Sequence, residues 1–179
     1  MNTLIHIFPV GSGILTDNDL EKLSDWNDKA FSHLSVTNDF EWTVGGHYNL
    51  RLEVDNEFAG YVGVLRREIL IDGNAVVIGA IRGLIINDTY RGLRLGRLLM
   101  EAAQKVIFNT VKAEHGFLIC LREISHFYRK LGWQEIGGSI SLENKGELVE
   151  WPEAAMILPG AHSMPNLCAC NIDLKGKAF

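Results

Sequence analysis

The stretch from Val76 to Met100 constrains this chain more than any other. It reads VVIGAIRGLIIN, then DTYRGLRLG, then RLLM. The first part is too continuously apolar for a half-solvated strand, so it predicts a central strand covered on both faces. A single charge, Arg82, interrupts it. The second part is a short polar turn with glycines. The third opens a helix, with Leu95, Leu98, Leu99, Ala102 and Val106 at the spacing of one helical face. A buried strand feeding such a turn and a helix start suits phosphate. The first-turn N–H groups have no partner inside the helix, and the helix dipole favours an anion there. Arg91, Arg94 and Arg97 add positive charge around the turn.

The remaining chain is read around this unit. Leu4 to Val10 predicts a first strand. Thr16 caps a helix, with Asp19 as its capping-box partner, and Leu20, Leu23, Trp26, Ala30 and Phe31 form that helix's apolar face. Ser32 to Asn38 reads as a loop. Asp39 starts a second, short helix that ends before Gly45-Gly46. His47 to Val54 and Phe58 to Ile71 are strands joined through Asp55-Asn56-Glu57. Asp72-Gly73 is a two-residue hairpin signal leading into the central strand, which runs to Ile86. The helix after the turn extends to about Glu114 and ends at His115-Gly116. Phe117 to Leu121 is a strand parallel to the central one, reached by a crossover. A short helix spans about Ser125 to Leu131, stopped by Gly132. Short strand-like runs follow, broken by Gly137-Gly138, Asn144-Lys145-Gly146 and Pro159-Gly160. The order predicts an α/β chain whose mixed sheet is covered by helices, folded as one domain over 1–179.

Charge and composition limit the partners. The chain carries a formal charge of -5 and is 47% hydrophobic and 22% charged, which suits a globular protein and argues against a nucleic acid partner. No apolar run is long enough to span a bilayer, so no membrane role is expected. The N-terminal stretch lacks the basic and apolar regions of a secretory signal, and three cysteines without such a signal suggest reduced thiols and a cytoplasmic location. Cys168-Ala169-Cys170 lacks the usual metal spacing and predicts two thiols on opposite faces of a strand, with no metal site.

Two motifs carry a family resemblance. Arg91-Gly92-Leu93-Arg94-Leu95-Gly96 is similar to the pyrophosphate loop Q/R-x-x-G/A-x-G/A of the GNAT superfamily of CoA-dependent N-acyltransferases, with Arg94 where glycine is usual. Tyr128-Arg129-Lys130-Leu131-Gly132-Trp133 is similar to that superfamily's later signature, a tyrosine followed by glycine and an aromatic. The element order matches over almost the whole chain. The resemblance implies a GNAT-like fold: a central, mostly antiparallel sheet with one parallel pair splayed around the CoA site. It implies acetyl-CoA or another acyl-CoA as co-substrate, aligned by Leu84, Ile85 and Ile86 and held by Arg91, Gly92, Leu93, Arg94, Leu95, Gly96 and Arg97. It implies Tyr128 as general acid to the departing thiolate, a role open to a phenol protonated at neutral pH. The same tyrosine packing its ring without proton transfer is the alternative.

Within the superfamily, Ala30-Phe31, Asp39 to Gly46 and Arg91 to Leu95 resemble the aminoglycoside 2'-N-acetyltransferases. Where that group places carboxylates for a polycationic sugar, this sequence has Leu34, Arg82 and, near the end, Lys177. Arg82 and Lys177 would repel such a cation. With Ile119, these residues form the candidate acceptor site, and the expected acceptor is a small-molecule amine that is not polycationic. Aminoglycoside acetylation and a non-catalytic acyl-CoA-binding module are the alternatives; a peptide or protein acceptor is also open. Arg82 needs an anionic partner if buried: the acceptor, a cofactor oxygen, or a carboxylate such as Glu41, Glu68 or Glu123. Glu123, His126, Asp39 and the carboxylate of Phe179 are candidates for the general base, alongside a water chain. An exposed edge in the C-terminal strands would suit a homodimer.

Overall fold

The computed structural model of the chain describes residues 1–31, 39–43, 46–161 and 167–179. Among the described residues, ten strands make one mixed sheet: β1 Thr3–Pro9, β2 Tyr48–Val54, β3 Glu57–Ile71, β4 Asn74–Ile86, β5 His115–Cys120, β6 Gln134–Glu135, β7 Ile140–Asn144, β8 Glu147–Glu150, β9 Ala154–Pro159 and β10 Ile172–Asp173. Their order is β6-β9-β5-β4-β3-β10-β7-β8, and β1 joins through β2 to the first half of β3. β5 runs parallel to β4, and β10 parallel to β7; the other pairings are antiparallel. The helices are α1 Asp17–Phe31, α2 Leu95–Lys105 and α3 Ser125–Arg129. No helix among the described residues is long and apolar enough to cross a membrane.

The central strand is covered on both faces, as its composition requires. Along β4, Val76, Ile78 and Ala80 pack into one core with Phe117, Ile157 and Phe179, while Ile81 packs into another with Leu118, Met156 and α2. The alternation of β5 and β9 repeats that division: Phe117 and Ile157 face one core, Leu118 and Met156 the other. The β3–β4 turn is set by Asp72 at φ 46 and Gly73 at φ 80, the two positive values of a type I′ turn. At the start of α1, the Thr16 backbone N–H donates to Asp19 at 3.1 Å, and the Asp19 N–H donates to the Thr16 hydroxyl oxygen at 3.2 Å, a reciprocal cap.

Four expectations from the sequence are corrected. The short helix from Asp39 does not continue: Trp42 instead pairs with Ala178 in a parallel bridge, and the Thr43 N–H donates to the Ala178 carbonyl at 2.6 Å. Phe40 and Trp42 pack edge-on against Trp151, which outweighs local helical preference. The helix after the turn stops well before Glu114. It widens into a π-helical turn over Val106–Thr110 and ends by Lys112 at φ 56. Glu114 is drawn to the start of β4, its N–H donating to Val77 and its carboxylate accepting from Val77. His115 and Gly116 therefore begin β5. Leu98 points away from the apolar face of α2 and is exposed; Leu95, Leu99, Met100 and Ala103 are the buried stripe. Finally, Cys168 lies in a single 3-10 turn, Leu167–Ala169, with Cys170 just after it; Cys168 is exposed and Cys170 buried.

Candidate active site

The site arises where the sheet splits. β4 and β5 pair only from Ile78–His115 to Ala80–Phe117, although both strands run on beyond that point. The register with β3 explains the departure: it runs regularly to Ile81, then Gly63 opposes Arg82 while Tyr61 opposes Ile85, so β4 carries an extra residue there. Gly83 absorbs the irregularity at φ 60. A β-bulge bends its strand, and here it turns the end of β4 away from β5. The backbone groups beyond Ala80 on one strand and Phe117 on the other lose their ladder partners across the gap.

A cleft of about 650 Å³ occupies the gap. β4 contributes Arg82, Leu84 and Ile85; β5 contributes Ile119 and Cys120; α3 contributes Tyr128. Alternation along the strands sets Arg82 and Ile119 toward the face that carries Phe179 and Trp151, whereas Tyr128 belongs to the core under α2. The cleft thus reaches both faces of the sheet through the split.

Tyr128 is buried among Phe127, at 5.0 Å between ring centroids, and Trp133, at 6.3 Å. Burial pushes its hydroxyl well above the ordinary phenol value, with Cys120 adding to the shift. The group holds its proton throughout the neutral range, and Tyr128 lines the cleft. The Cys120 thiol is pushed up to about 12 by burial, with Glu135 and Glu153 contributing, so no thiolate forms there near neutral pH.

The turn before α2 keeps its helix start open. Gly92 takes φ 81 and Arg94 takes φ 61 at the cap position, and no side chain caps the first turn. A Cβ on Gly96 would sit 3.7 Å from Ile86 and from Phe127, so this helix start is packed against the end of β4 and against α3. Arg91 pairs with Asp88 and Arg97 with Glu101, both at 2.8 Å on the exposed surface. An uncapped helix start with three surrounding arginines beside a split sheet fits an elongated anionic ligand carrying amide groups. Leu84, Ile85, Arg82, Ile119 and Tyr128 meet in the cleft; Ile86 and Arg91–Arg97 lie beside it, outside its lining.

One candidate residue is placed elsewhere. Lys177 pairs with Glu41 at 3.1 Å and does not line the cleft. Leu34 lies outside the described residues. Of the carboxylates offered to Arg82, Glu41 is engaged by Lys177 and Glu68 by Lys175 at 2.8 Å. Glu123, His126 and Asp39 are exposed and lie outside the lining.

The lining includes residues the sequence did not single out. Tyr61 donates to the Asn49 side-chain oxygen at 2.7 Å, and burial raises its hydroxyl while nearby Arg82 opposes the shift. Leu20, Leu23 and Phe31 of α1 form one side, with Leu20 half exposed to the cleft. Trp42 and Trp151 form another, together with Phe179, which the sequence offered only for its carboxylate. Arg67 braces that wall, donating to the Lys177 carbonyl at 2.7 Å and the Thr43 hydroxyl at 2.6 Å beneath the Phe179 ring. Among the described residues, no Asp, Glu or His side chain lines the cleft; the titratable side chains there are Tyr61, Arg82, Cys120 and Tyr128, and Phe179, whose carboxylate is one of the base candidates, lines it as well. No group of three or more His, Cys, Asp or Glu among the described residues is placed to hold a metal ion.

Residues 46–135 match the family described as Acetyltransferase (GNAT) domain, and the chain belongs to this family of N-acyltransferases, which use acyl-CoA as co-substrate. Solved structures agree on the fold. ElaA from Escherichia coli superposes with a TM-score of 0.55 at 16% identity, over 86% of this chain and 99% of that one. An acyl-CoA N-acyltransferase from Pseudomonas aeruginosa superposes with a TM-score of 0.56 at 16% identity, over 87% and 99%. Eis1 from Mycobacterium abscessus superposes with a TM-score of 0.55 at 14% identity over 77% of this chain, which spans 32% of that longer protein.

Proposed function

We propose that the enzyme transfers an acetyl group, or another acyl group, from acyl-CoA to the amine of a small molecule that is not polycationic. The co-substrate supplies an activated acyl carbon. The uncapped start of α2, with Arg91, Arg94 and Arg97, is the site proposed for its pyrophosphate. The backbone of Leu84, Ile85 and Ile86, which lies beyond the pairing of β4 with β5, is proposed to align its amide-bearing arm. Tyr128, protonated and buried at the cleft, is the proposed proton donor to sulphur.

The observation that carries this reading is the split between β4 and β5 with Tyr128 at its edge. The lining bears on the acceptor. A polycationic sugar needs carboxylates to replace its water, and among the described residues the lining has no Asp or Glu side chain and carries Arg82. That disfavours the aminoglycoside reading. Tyr128 and the preserved Gly96 turn favour turnover over a binding module.

Titration calorimetry with acetyl-CoA tests the assignment. Arg91→Ala combined with Arg97→Ala is expected to weaken binding about tenfold, a modest loss because backbone N–H groups remain and both arginines are exposed. Unchanged affinity would refute the pyrophosphate site. An amine panel read by release of free thiol tests turnover, and a preference for aminoglycosides would overturn the acceptor reading.

A further inference from the structure

Asp19, Asn49, His115 and Ser125 are buried although polar. Three of them are accounted for inside the protein. Asp19 caps α1 and pairs with Arg51, the His115 ring accepts from the Gly160 N–H, and the Ser125 hydroxyl accepts from Arg129. Asn49 differs. It is 8% exposed, and among the described residues its side chain bonds only to Tyr61. We propose that Asn49 and Tyr61 are the polar anchor for the acceptor, a hydrogen-bond donor and a hydrogen-bond acceptor side by side that hold a neutral hydroxyl or carboxamide carried next to the amine. This rests on the acyltransferase reading above.

The sheet builds the pair. Asn49 on β2 opposes Gly63 on β3, and Gly63 opposes Arg82 on β4, so the three share one face. Tyr61 stands two residues before Gly63 and belongs to the same face. A Cβ on Gly63 would lie 3.0 Å from the Tyr61 hydroxyl. The bare glycine therefore leaves the space through which Tyr61 reaches across to the neighbouring strand, where the Asn49 Oδ1 accepts its proton at 2.7 Å. Both side chains line the cleft. Leu50 and Leu52, which flank Arg51 on β2, belong to the core under α2. The pair thus lies on the side of the sheet away from the helix start proposed for pyrophosphate, where an acceptor approaches.

The chemistry of the pair follows from counting. A carboxamide side chain has two N–H donors and an oxygen with two lone pairs; a phenol has one O–H and an accepting oxygen. Their mutual bond uses one hydrogen and one lone pair. Whichever way the Asn49 amide is turned, a donor on one residue and an acceptor on the other are left over. They are not sealed in: among the described side chains, only the Trp133 indole nitrogen is both enclosed and without a partner. Burial raises the Tyr61 hydroxyl above its ordinary value, so the pair is uncharged at neutral pH. An apolar pair would hold this face of the sheet with no polar group to desolvate. A polar pair covered by a hydrocarbon loses its water and gains nothing. A ligand hydroxyl, or the adjacent oxygen and nitrogen of a carboxamide, satisfies both members at once.

Steady-state kinetics on the full chain with acetyl-CoA, read by thiol release, test the anchor. The probes are three amines of one carbon frame that carry a hydroxyl, a carboxamide or a methyl group on the carbon beside the amine-bearing one, each compared at its neutral-amine concentration. Wild type should favour the hydroxyl or the carboxamide amine over the methyl amine by about tenfold or more in kcat/KM, because a methyl group strands both members of the pair. In Tyr61→Phe and in Asn49→Leu that ratio should shrink to about threefold or less, mainly through a raised KM for the polar amine. The double variant should shrink it little further than either single one, since the two residues act as a unit. The wild-type ratio decides the matter even where a variant fails to fold. A wild-type ratio near one overturns the inference and leaves acyl transfer standing, as does a preference that survives intact in Tyr61→Phe. No thiol release with these or with any member of the amine panel overturns the acyltransferase reading and this inference with it.

Discussion

Tyr128→Phe isolates one oxygen atom. The ring stays in its slot beside Phe127 and Trp133, at the same centroid spacings of 5.0 and 6.3 Å, so the fold loses at most the hydroxyl's own interactions. That is about 0.5–1.5 kcal/mol, or a Tm change of a few degrees at about 2–4 °C per kcal/mol for a chain of this size. The chemical loss is larger. A positioned general acid contributes about 10²–10⁴-fold, which at 1.36 kcal/mol per decade is about 3–5 kcal/mol of barrier. The hydroxyl is held above the ordinary phenol value by burial, so it remains protonated and wild-type kcat should show no basic limb from this group below about pH 10. Thiol release should therefore fall at least a hundredfold in Tyr128→Phe, while calorimetric affinity for acetyl-CoA changes less than about threefold. A thioester whose thiol is more acidic needs less protonation on departure, so it should recover much of the loss. A variant with kcat within threefold of wild type, or a loss equal for both thioesters, would refute the acid role and leave Tyr128 as a packing residue.

Two further predictions concern the scaffold. Asp19 is pushed up by burial, but the Thr16 N–H and Arg51 more than offset this and hold it below the ordinary carboxylate value. Its contribution is therefore complete above about pH 4 and lost as pH falls through its own lowered pKa. Asp19→Asn should cost about 1–3 kcal/mol at pH 7 by denaturant titration, a difference that shrinks below pH 4; a pH-independent difference would refute the linkage. Thiol alkylation at pH 8 should modify exposed Cys168 readily and spare Cys120, whose thiol is pushed up to about 12; rapid labelling of Cys120 by peptide mapping would contradict its burial.

How far the sequence could be read depended on the range of the interaction. Asp72-Gly73 and Thr16 with Asp19 are local devices, and both form as their chemistry requires. The central strand was legible because burial on both faces demands an unbroken apolar run. The bulge was not: Arg82-Gly83-Leu84 looks like continuous strand, and only the register against Gly63 and Tyr61 reveals the extra residue. The end of α2 was not legible because the apolar residues Val106, Ile107 and Phe108 continue past the point where the helix widens into a π turn, which carries no sequence signal of its own. Tyr128, Arg82 and Ile119 were found individually, but their meeting at one cleft depends on where two strands part. Trp42 and Trp151 carried no local signal as cleft walls, and Phe179 was read only for its carboxylate, since their positions come from pairing between distant segments.

That pairing has a consequence for how the molecule opens. Thr43 and Lys177 bond across 134 residues of sequence, and the wall they brace closes one of the longest loops in the chain. Contacts of such separation return less free energy per residue ordered, because the closure entropy is offset by only a few bonds. The outer part of the wall, Trp42 and Thr43, depends on that closure, whereas Trp151 and Phe179 are also packed into the core beside β3 and β4. Residues such as Trp42 and Thr43 can change with little effect on global unfolding. Recognition at this outer part is thereby uncoupled from the parts that hold the fold together, and substitutions there alter what enters the cleft before they alter whether the chain folds.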